Sequence, residues 1–133
     1  MPPISPGHVI VVDDDAAVRD SLKFALELEG LTVRAYDGGD ALLADPALPA
    51  RGCLVVDYYM PSMNGIDLVG RLRRRRVSMP AILITAKVTE GMRRSAARAG
   101  IGLVLEKPLG DASLLEGIRG ALAAPPAALG ECS

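Results

Sequence analysis

The sequence has no tryptophan, one phenylalanine and three tyrosines among its 133 residues. Half of the residues are nevertheless hydrophobic, so any core must be built from aliphatic side chains. This length suits one domain of ordinary size. We therefore predict a single domain over residues 1–133, with a folded core at 8–123 and a tail at 124–133 that is too short for a second domain.

Cysteine is also scarce, and neither sign of charge dominates. Cys53 lies in an apolar run and Cys132 in the tail, which argues against a disulfide framework and indicates a reducing compartment. The formal net charge of −1 excludes a global basic field of the kind that binds nucleic acid non-specifically. A signal-peptide core and an apolar run of membrane length are both absent. We therefore expect a cytoplasmic protein with no membrane partner and no direct nucleic-acid binding.

Short apolar runs that are rich in β-branched residues recur along the chain. Because polar residues or turn signals bound them, they predict buried strands. These strands are expected at residues 9–12, 53–56, 81–84 and 103–105. The segment Thr32–Tyr36 instead alternates, with Val33 and Ala35 on one side, which predicts an edge strand.

Helical stripes lie between the strands. Asp15 is the expected N-cap of a helix with an apolar stripe that Phe24 and Leu28 extend. The stripe itself comprises Val18, Leu22, Ala25 and Leu26. A short helix is expected at 40–45, Asn64 and Thr89 are expected to cap two more, and the last helix follows at 114–122. Five strand–helix repeats predict a parallel sheet with helices on both faces.

Polar side chains follow the buried strands where the apolar runs end. The run at 9–12 is followed by Asp13, Asp14 and Asp15, and the run at 53–56 is followed by Asp57. The run at 81–84 is followed by Thr85, and the run at 103–105 leads to Lys107. Ligands of open α/β sheets bind outside the carboxyl ends of the strands. Crowded carboxylates repel one another, and a hard cation such as Mg²⁺ relieves this repulsion. Because a carboxylate can also accept a phosphoryl group, these residues favour Mg²⁺-dependent phosphoryl transfer.

Four short motifs at these strand ends resemble the receiver domain of two-component response regulators. They are Val-Val-Asp-Asp-Asp at 11–15, Asp-Tyr-Tyr-Met-Pro-Ser-Met-Asn-Gly at 57–65, Ile-Thr-Ala at 84–86 and Glu-Lys-Pro at 106–108. The resemblance covers residues 8 to about 123 and is nearest to the receivers of nitrogen-fixation regulators. It implies an α/β, flavodoxin-like, doubly wound five-stranded parallel sheet of order 2-1-3-4-5 with five helices.

The resemblance also implies a metal site and a phosphoryl acceptor. Asp57 accepts the phosphoryl group. Mg²⁺ is held by Asp14, Asp57 and the backbone carbonyl of Tyr59, and Asp13 acts mainly through a bound water. Asp15 lies beside the pocket as a helix cap.

Two further residues complete the implied site. The hydroxyl of Thr85 hydrogen-bonds the phosphoryl group and moves when this group arrives, and Lys107 pairs with it. Pro108 is expected to follow a cis peptide bond. Val104 departs from the family, which usually has an aromatic ring at this position that rotates on activation. Tyr59 and Lys87 flank the acceptor and are expected to slow hydrolysis.

The implied function is a stand-alone signalling switch without turnover of an external substrate. Its partners would be a sensor histidine kinase or a histidine phosphotransfer protein, and a downstream protein. A homodimer is left open, as are the receiver of a truncated DNA-binding transcription factor and a degenerate receiver that signals by binding only. A phosphatase that uses an aspartyl phosphate is a further alternative. The haloacid-dehalogenase-like signature needs a second aspartate two residues after the nucleophile, and Tyr59 at this position argues against it.

Five arginines lie close together after the third expected strand, at positions 71 and 73–76. We interpret them as the solvated end of a helix, where cations suit the helix dipole. Binding of an anion or a nucleic acid is the alternative.

Overall fold

Five strands and five helices alternate in the computed structural model, which describes residues 7–49, 51–109 and 112–123. The strands are β1 (His8–Val12), β2 (Thr32–Tyr36), β3 (Cys53–Asp57), β4 (Ala81–Thr85) and β5 (Leu103–Glu106). The helices are α1 (Ala16–Leu28), α2 (Gly39–Leu43), α3 (Gly65–Arg74), α4 (Glu90–Arg98) and α5 (Ser113–Ala123). The predicted tail at 124–133, with Cys132, lies outside the described residues.

The strands form one parallel sheet in the order β2-β1-β3-β4-β5. This confirms the predicted doubly wound fold. From β1 the chain first moves outward to β2 and then crosses back to β3 on the other side of β1. The direction of winding therefore reverses between β1 and β3, and a crevice opens at the carboxyl ends of these strands.

The sheet separates two aliphatic cores. Because side chains alternate along a strand, Ile10 and Val12 join the core that α2, α3 and α4 cover, whereas Val9 and Val11 join the core beneath α1 and α5. These four side chains are all 0% exposed. Cys53 belongs to the second core, and its burial raises the pKa of its thiol to about 12. The predicted core role of this cysteine is confirmed.

Side-chain caps begin three of the helices. Asp15, Asn64 and Thr89 accept hydrogen bonds from backbone N–H groups in the first turns of α1, α3 and α4, as predicted. The helix predicted at 40–45 is α2, Gly39–Leu43, which ends earlier. The reason is that the Asp45 carboxylate accepts a 2.8 Å hydrogen bond from the backbone of Ala47, which favours a turn.

The apolar face of α1 is narrower than predicted. Leu26 is buried, but Phe24 and Leu28 are 68% and 71% exposed, and Ala25 is exposed as well. A side chain two positions beyond a buried one is rotated by roughly 200°, onto the opposite face. On β2, Ala35 is also exposed, so the predicted apolar side of this edge strand is buried at Val33 but not at residue 35.

None of the helices in the described part of the chain is long and apolar enough to cross a membrane.

Candidate functional site

The carboxyl edge of the sheet brings together the polar residues that the sequence singles out. Asp13 and Asp14 follow β1, Asp57 and Thr85 are the last residues of β3 and β4, and Lys107 comes directly after β5. Asp13, Asp57 and Thr85 are each at most 5% exposed. Polar side chains are rarely so buried without partners, so their surroundings indicate what this edge can bind.

Three carboxylates form the centre of the site. One oxygen each of Asp13, Asp14 and Asp57 lies within 4.8 Å of the other two, and Asp14 is exposed to solvent. Oδ1 of Asp13 accepts a 2.9 Å hydrogen bond from the backbone of Asp15. The buried Oδ2 of Asp13 has no hydrogen-bond partner among the described residues. Because such an oxygen is costly to bury, this set of donors fits a hard cation with oxygen ligands.

Lys107 balances part of this negative charge. Its Nζ lies 3.1 Å from Oδ1 of Asp57 and 3.7 Å from Oδ2 of Asp13. Burial raises the pKa of Asp57, although the hydrogen bond from Lys107 opposes that rise. Burial lowers the pKa of Lys107, but the hydrogen bond and the charges of Asp57 and Asp13 outweigh it and leave this pKa raised. The peptide bond before Pro108 is cis, as expected.

The hydroxyl of Thr85 is tied to the loop that follows β4. It donates a 3.2 Å hydrogen bond to the backbone carbonyl of Lys87, and it lies 3.4 Å from the backbone nitrogen of the same residue. Its strand runs beside β3, where Asp57 pairs with Ile84. Val104 is partly buried and packs on the core beneath α4. The role of Thr85 toward a phosphoryl group stays a prediction.

A tight loop follows Asp57. The backbone N–H of Gly65 donates to the Tyr58 carbonyl at 3.0 Å, and a Cβ at Gly65 would lie 2.6 Å from the carbonyl oxygen of Asp57. Only glycine permits this approach. The Tyr59 side chain is 58% exposed, stands edge-on to Tyr58 and lines a cavity of about 520 Å³ together with Asp14. The predicted metal contact of the Tyr59 carbonyl stays a prediction.

Two side chains beside the site had no role in the sequence interpretation. Arg19 Nη1 donates a 2.8 Å hydrogen bond to the carbonyl of Asp13, which holds the acidic loop. Glu106 Oε1 accepts a 3.3 Å hydrogen bond from the backbone of Val88, which links the end of β5 to the loop after β4. Glu106 directly precedes Lys107 in the sequence, and this position could have indicated that Glu106 has a role near the site. No sequence pattern indicates the role of Arg19, because its contact with the Asp13 carbonyl depends on the direction of α1 relative to β1.

Known proteins share this fold and much of this sequence. The family model for the response regulator receiver domain matches residues 9–119. The transcriptional regulatory protein FixJ of Azorhizobium caulinodans is 39% identical over 123 residues, which are 92% of this chain and 57% of FixJ. A 14.6 kDa protein of Leptolyngbya boryana is 40% identical over 80% of this chain and 83% of its own length. The crystal structure of FixJ-N is similar with a TM-score of 0.82 and 33% identity, over 92% of this chain and 98% of that one.

The matched residues include the whole acidic cluster, Thr85 and Lys107. The chain spans only about three fifths of the length of the FixJ proteins that it matches. The fold, the residues at the strand ends and the similarity over most of the chain lead to one conclusion: this chain belongs to the response regulator receiver domains of two-component signalling.

Proposed function

We propose that this receiver domain is a signalling switch that accepts a phosphoryl group on Asp57. The observation that carries the proposal is the arrangement around this residue. Its carboxylate lies at the open edge of the sheet, beside two other carboxylates and 3.1 Å from the ammonium group of Lys107. Such a combination of a nucleophile with charges that neutralise an incoming phosphoryl group is what phosphoryl transfer requires.

In the proposed reaction a carboxylate oxygen of Asp57 is the nucleophile. It forms a bond to phosphorus while the bond between phosphorus and the donor breaks, and the electron pair of that bond leaves with the donor. Lys107 exchanges part of its contact with Asp57 for a contact with a phosphoryl oxygen. The hydroxyl of Thr85 leaves the carbonyl of Lys87 and donates to another phosphoryl oxygen.

Asp13, Asp14 and Asp57 are the residues that we propose to hold Mg²⁺, together with the Tyr59 carbonyl. Asp13 would act mainly through a bound water. When bound, the ion supplies positive charge that neutralises the phosphoryl oxygens. The buried Oδ2 of Asp13, which has no hydrogen-bond partner among the described residues, supports a cation at this position.

The donor that we propose is a phosphohistidine of a sensor kinase or of a histidine phosphotransfer protein in the cytoplasm. The phosphorylated domain would signal through protein–protein binding or pass its phosphoryl group on, without turning over an external substrate. The Leptolyngbya relative, 83% of whose length this chain matches, supports a receiver that acts without an effector domain. The longer FixJ proteins favour a second candidate, the receiver part of a DNA-binding transcription factor.

Incubation with Mg²⁺ and acetyl phosphate, followed by intact-mass measurement, tests this proposal. We expect a gain of one phosphoryl group that Asp57→Asn abolishes, and weaker Mg²⁺ binding by Asp14→Ala. Asp20→Asn on α1 is a matched control, because it removes an exposed carboxylate outside the site. Equal labelling of Asp57→Asn and the wild type would overturn the assignment.

A further inference from the structure

The five neighbouring arginines around the end of α3 do not share one role. Arg73 is partly buried and turns toward the backbone. Its Nη1 donates to the carbonyl of Val77 at 2.8 Å, and its Nη2 donates to the carbonyl of Gly100 at 3.2 Å. This side chain therefore closes the end of α3 and ties it to the segment after α4. The prediction of a solvated helix end is therefore wrong for Arg73, which is partly buried, whereas the other four arginines are exposed.

Three of the other arginines lie on a different surface. Arg71, Arg74 and Arg75 are spaced i, i+3 and i+4, so they project from one side of the helix. With Leu43 of α2 they line an open depression of about 300 Å³, which we call the α3 arginine depression. This volume is at the lower end of the range of ligand pockets, roughly 300–1,000 Å³. All three side chains are exposed, so their guanidinium groups are accessible to a solute.

The charge of this depression is not compensated by the described residues. Among the described residues, no carboxylate lies within 4.0 Å of the guanidinium nitrogens of these three arginines. Asp67, one turn before Arg71, lines a separate groove with Thr89. Like charges on one helix face repel each other, and the negative end of the helix dipole offsets only part of this. A bound anion would remove the remaining repulsion.

One of the three guanidinium groups is already positioned. Arg75 Nη1 donates a 2.8 Å hydrogen bond to the carbonyl of Leu43, which also lines the depression, and this bond fixes the position of the group. A guanidinium group has five N–H donors, so the other donors of Arg75 stay free to bind. Positioning one group in advance reduces the side-chain entropy that a ligand must overcome.

We propose that the α3 arginine depression binds the diphosphate group of a small phosphorylated molecule. Guanidinium groups form paired hydrogen bonds with phosphate oxygens, and three of them match the charge of a diphosphate better than that of one carboxylate. The three arginines occupy about one helical turn, which is too short for the row of phosphate contacts of a nucleic acid. Leu43 offers a small apolar surface to the rest of the ligand.

Titration with inorganic pyrophosphate tests this proposal. The titration uses the unphosphorylated full chain in a buffer free of Mg²⁺, so the result does not depend on the chemistry of Asp57. In amide NMR spectra we expect saturable shifts centred on residues 43 and 71–75. Arg71→Gln with Arg74→Gln should raise the Kd at least about tenfold, a change of ~1.4 kcal/mol.

The control is Arg93→Gln with Arg98→Gln, which removes the same charge from exposed positions of α4. It should leave the Kd for pyrophosphate unchanged. Two further titrations test whether the diphosphate group of a larger molecule is recognised. ADP, which carries this group, should bind at the same residues, and adenosine, which lacks it, should not. Equal weakening in both arginine variants, shifts centred on Asp57, or the absence of saturation would overturn the proposal. Binding of a DNA duplex or an acidic peptide without binding of pyrophosphate would overturn it as well.

Discussion

At the scale of single residues, the surroundings of Asp57 decide how long a phosphoryl group would remain. An acyl phosphate is lost when water attacks phosphorus in line with the bond to the carboxylate. Tyr59 lies at the mouth of the site beside Asp14, with its ring exposed. Lys87 lies in the loop that holds the hydroxyl of Thr85. The ring of Tyr59 can cover the approach of water, and a protonated lysine has donors only and cannot accept a proton from water, so we expect neither residue to assist hydrolysis.

We therefore predict a long-lived phosphorylated state. Tyr59→Asn combined with Lys87→Glu should shorten its lifetime by about tenfold or more, because a tenfold change needs only ~1.4 kcal/mol in the barrier and the substitutions give water access to phosphorus. The decay is followed at fixed Mg²⁺ after removal of the donor, and each single variant is measured beside the double variant. Loss of the wild-type phosphoryl group within seconds, or no faster decay in the double variant, would refute this explanation.

The polar residues of the site were predictable because each stands where an apolar run ends. The five-fold alternation of strands and helices then places those ends at one edge of the sheet, which the structure confirms. The contact of Arg19 with the Asp13 carbonyl was not predictable, since a side chain that binds a backbone oxygen leaves no pattern in the sequence. For the same reason the sequence did not separate Arg73, which is partly buried and binds two carbonyl groups, from the exposed arginines near it.

At the scale of elements, the start of α3 depends on the small size of Gly65. Since a Cβ here would lie 2.6 Å from the Asp57 carbonyl and 2.8 Å from a methyl group of Leu83, the backbone must move to accept it. We predict that Gly65→Ala lowers the free energy of unfolding by about 1–3 kcal/mol, the usual cost of overpacking. Urea denaturation at pH 7 measures this change.

Gly70 provides the matched control in the same helix, because a Cβ at this position meets no atom within 4 Å. Gly70→Ala should stabilise the protein by about 0.5–1 kcal/mol, since alanine has the higher helix propensity. If both substitutions had the same sign, the close approach of Gly65 to Asp57 would not be the cause of the first effect.

We expect helix α4 to be held less firmly than α1. Its buried side chains are Met92 and Ala96, and a buried methylene contributes about 0.8 kcal/mol, so an alanine adds little. Helix α1 is longer, and it buries Leu26 with Leu22 packed beside it. Weakly held elements are suited to conformational switching.

We therefore predict faster amide hydrogen exchange in α4 than in α1. Phosphorylation should change the exchange of α4 and leave that of α1 nearly constant, so α1 serves as the internal reference. Mass spectrometry of peptides from the two helices gives both rates. Equal protection of the two helices before and after phosphorylation would show that α4 is not the switching element.

The helical stripes show where sequence patterns reach their limit. The alternation of elements was sufficient to predict a parallel sheet with helices on both faces, whereas the strand order followed from the resemblance to receiver domains. The pattern on α1 did not show that Phe24 and Leu28 are exposed. A stripe of apolar residues defines the side of a helix that is buried, but its width depends on how much of the helix the sheet covers.

At the scale of the whole molecule, the fold places groups from the ends of three other strands near the carboxylate of Asp57 at the end of β3. The most direct test is to locate the phosphoryl group by chemistry that depends on the acyl phosphate itself. Borohydride reduces an aspartyl phosphate to homoserine, which tandem mass spectrometry can assign to one position. After treatment with acetyl phosphate and Mg²⁺, we predict homoserine at residue 57 and at no other aspartate, and none when Mg²⁺ is omitted. Homoserine at residue 13 or 14, or a phosphorylated protein without homoserine at 57, would contradict the central claim.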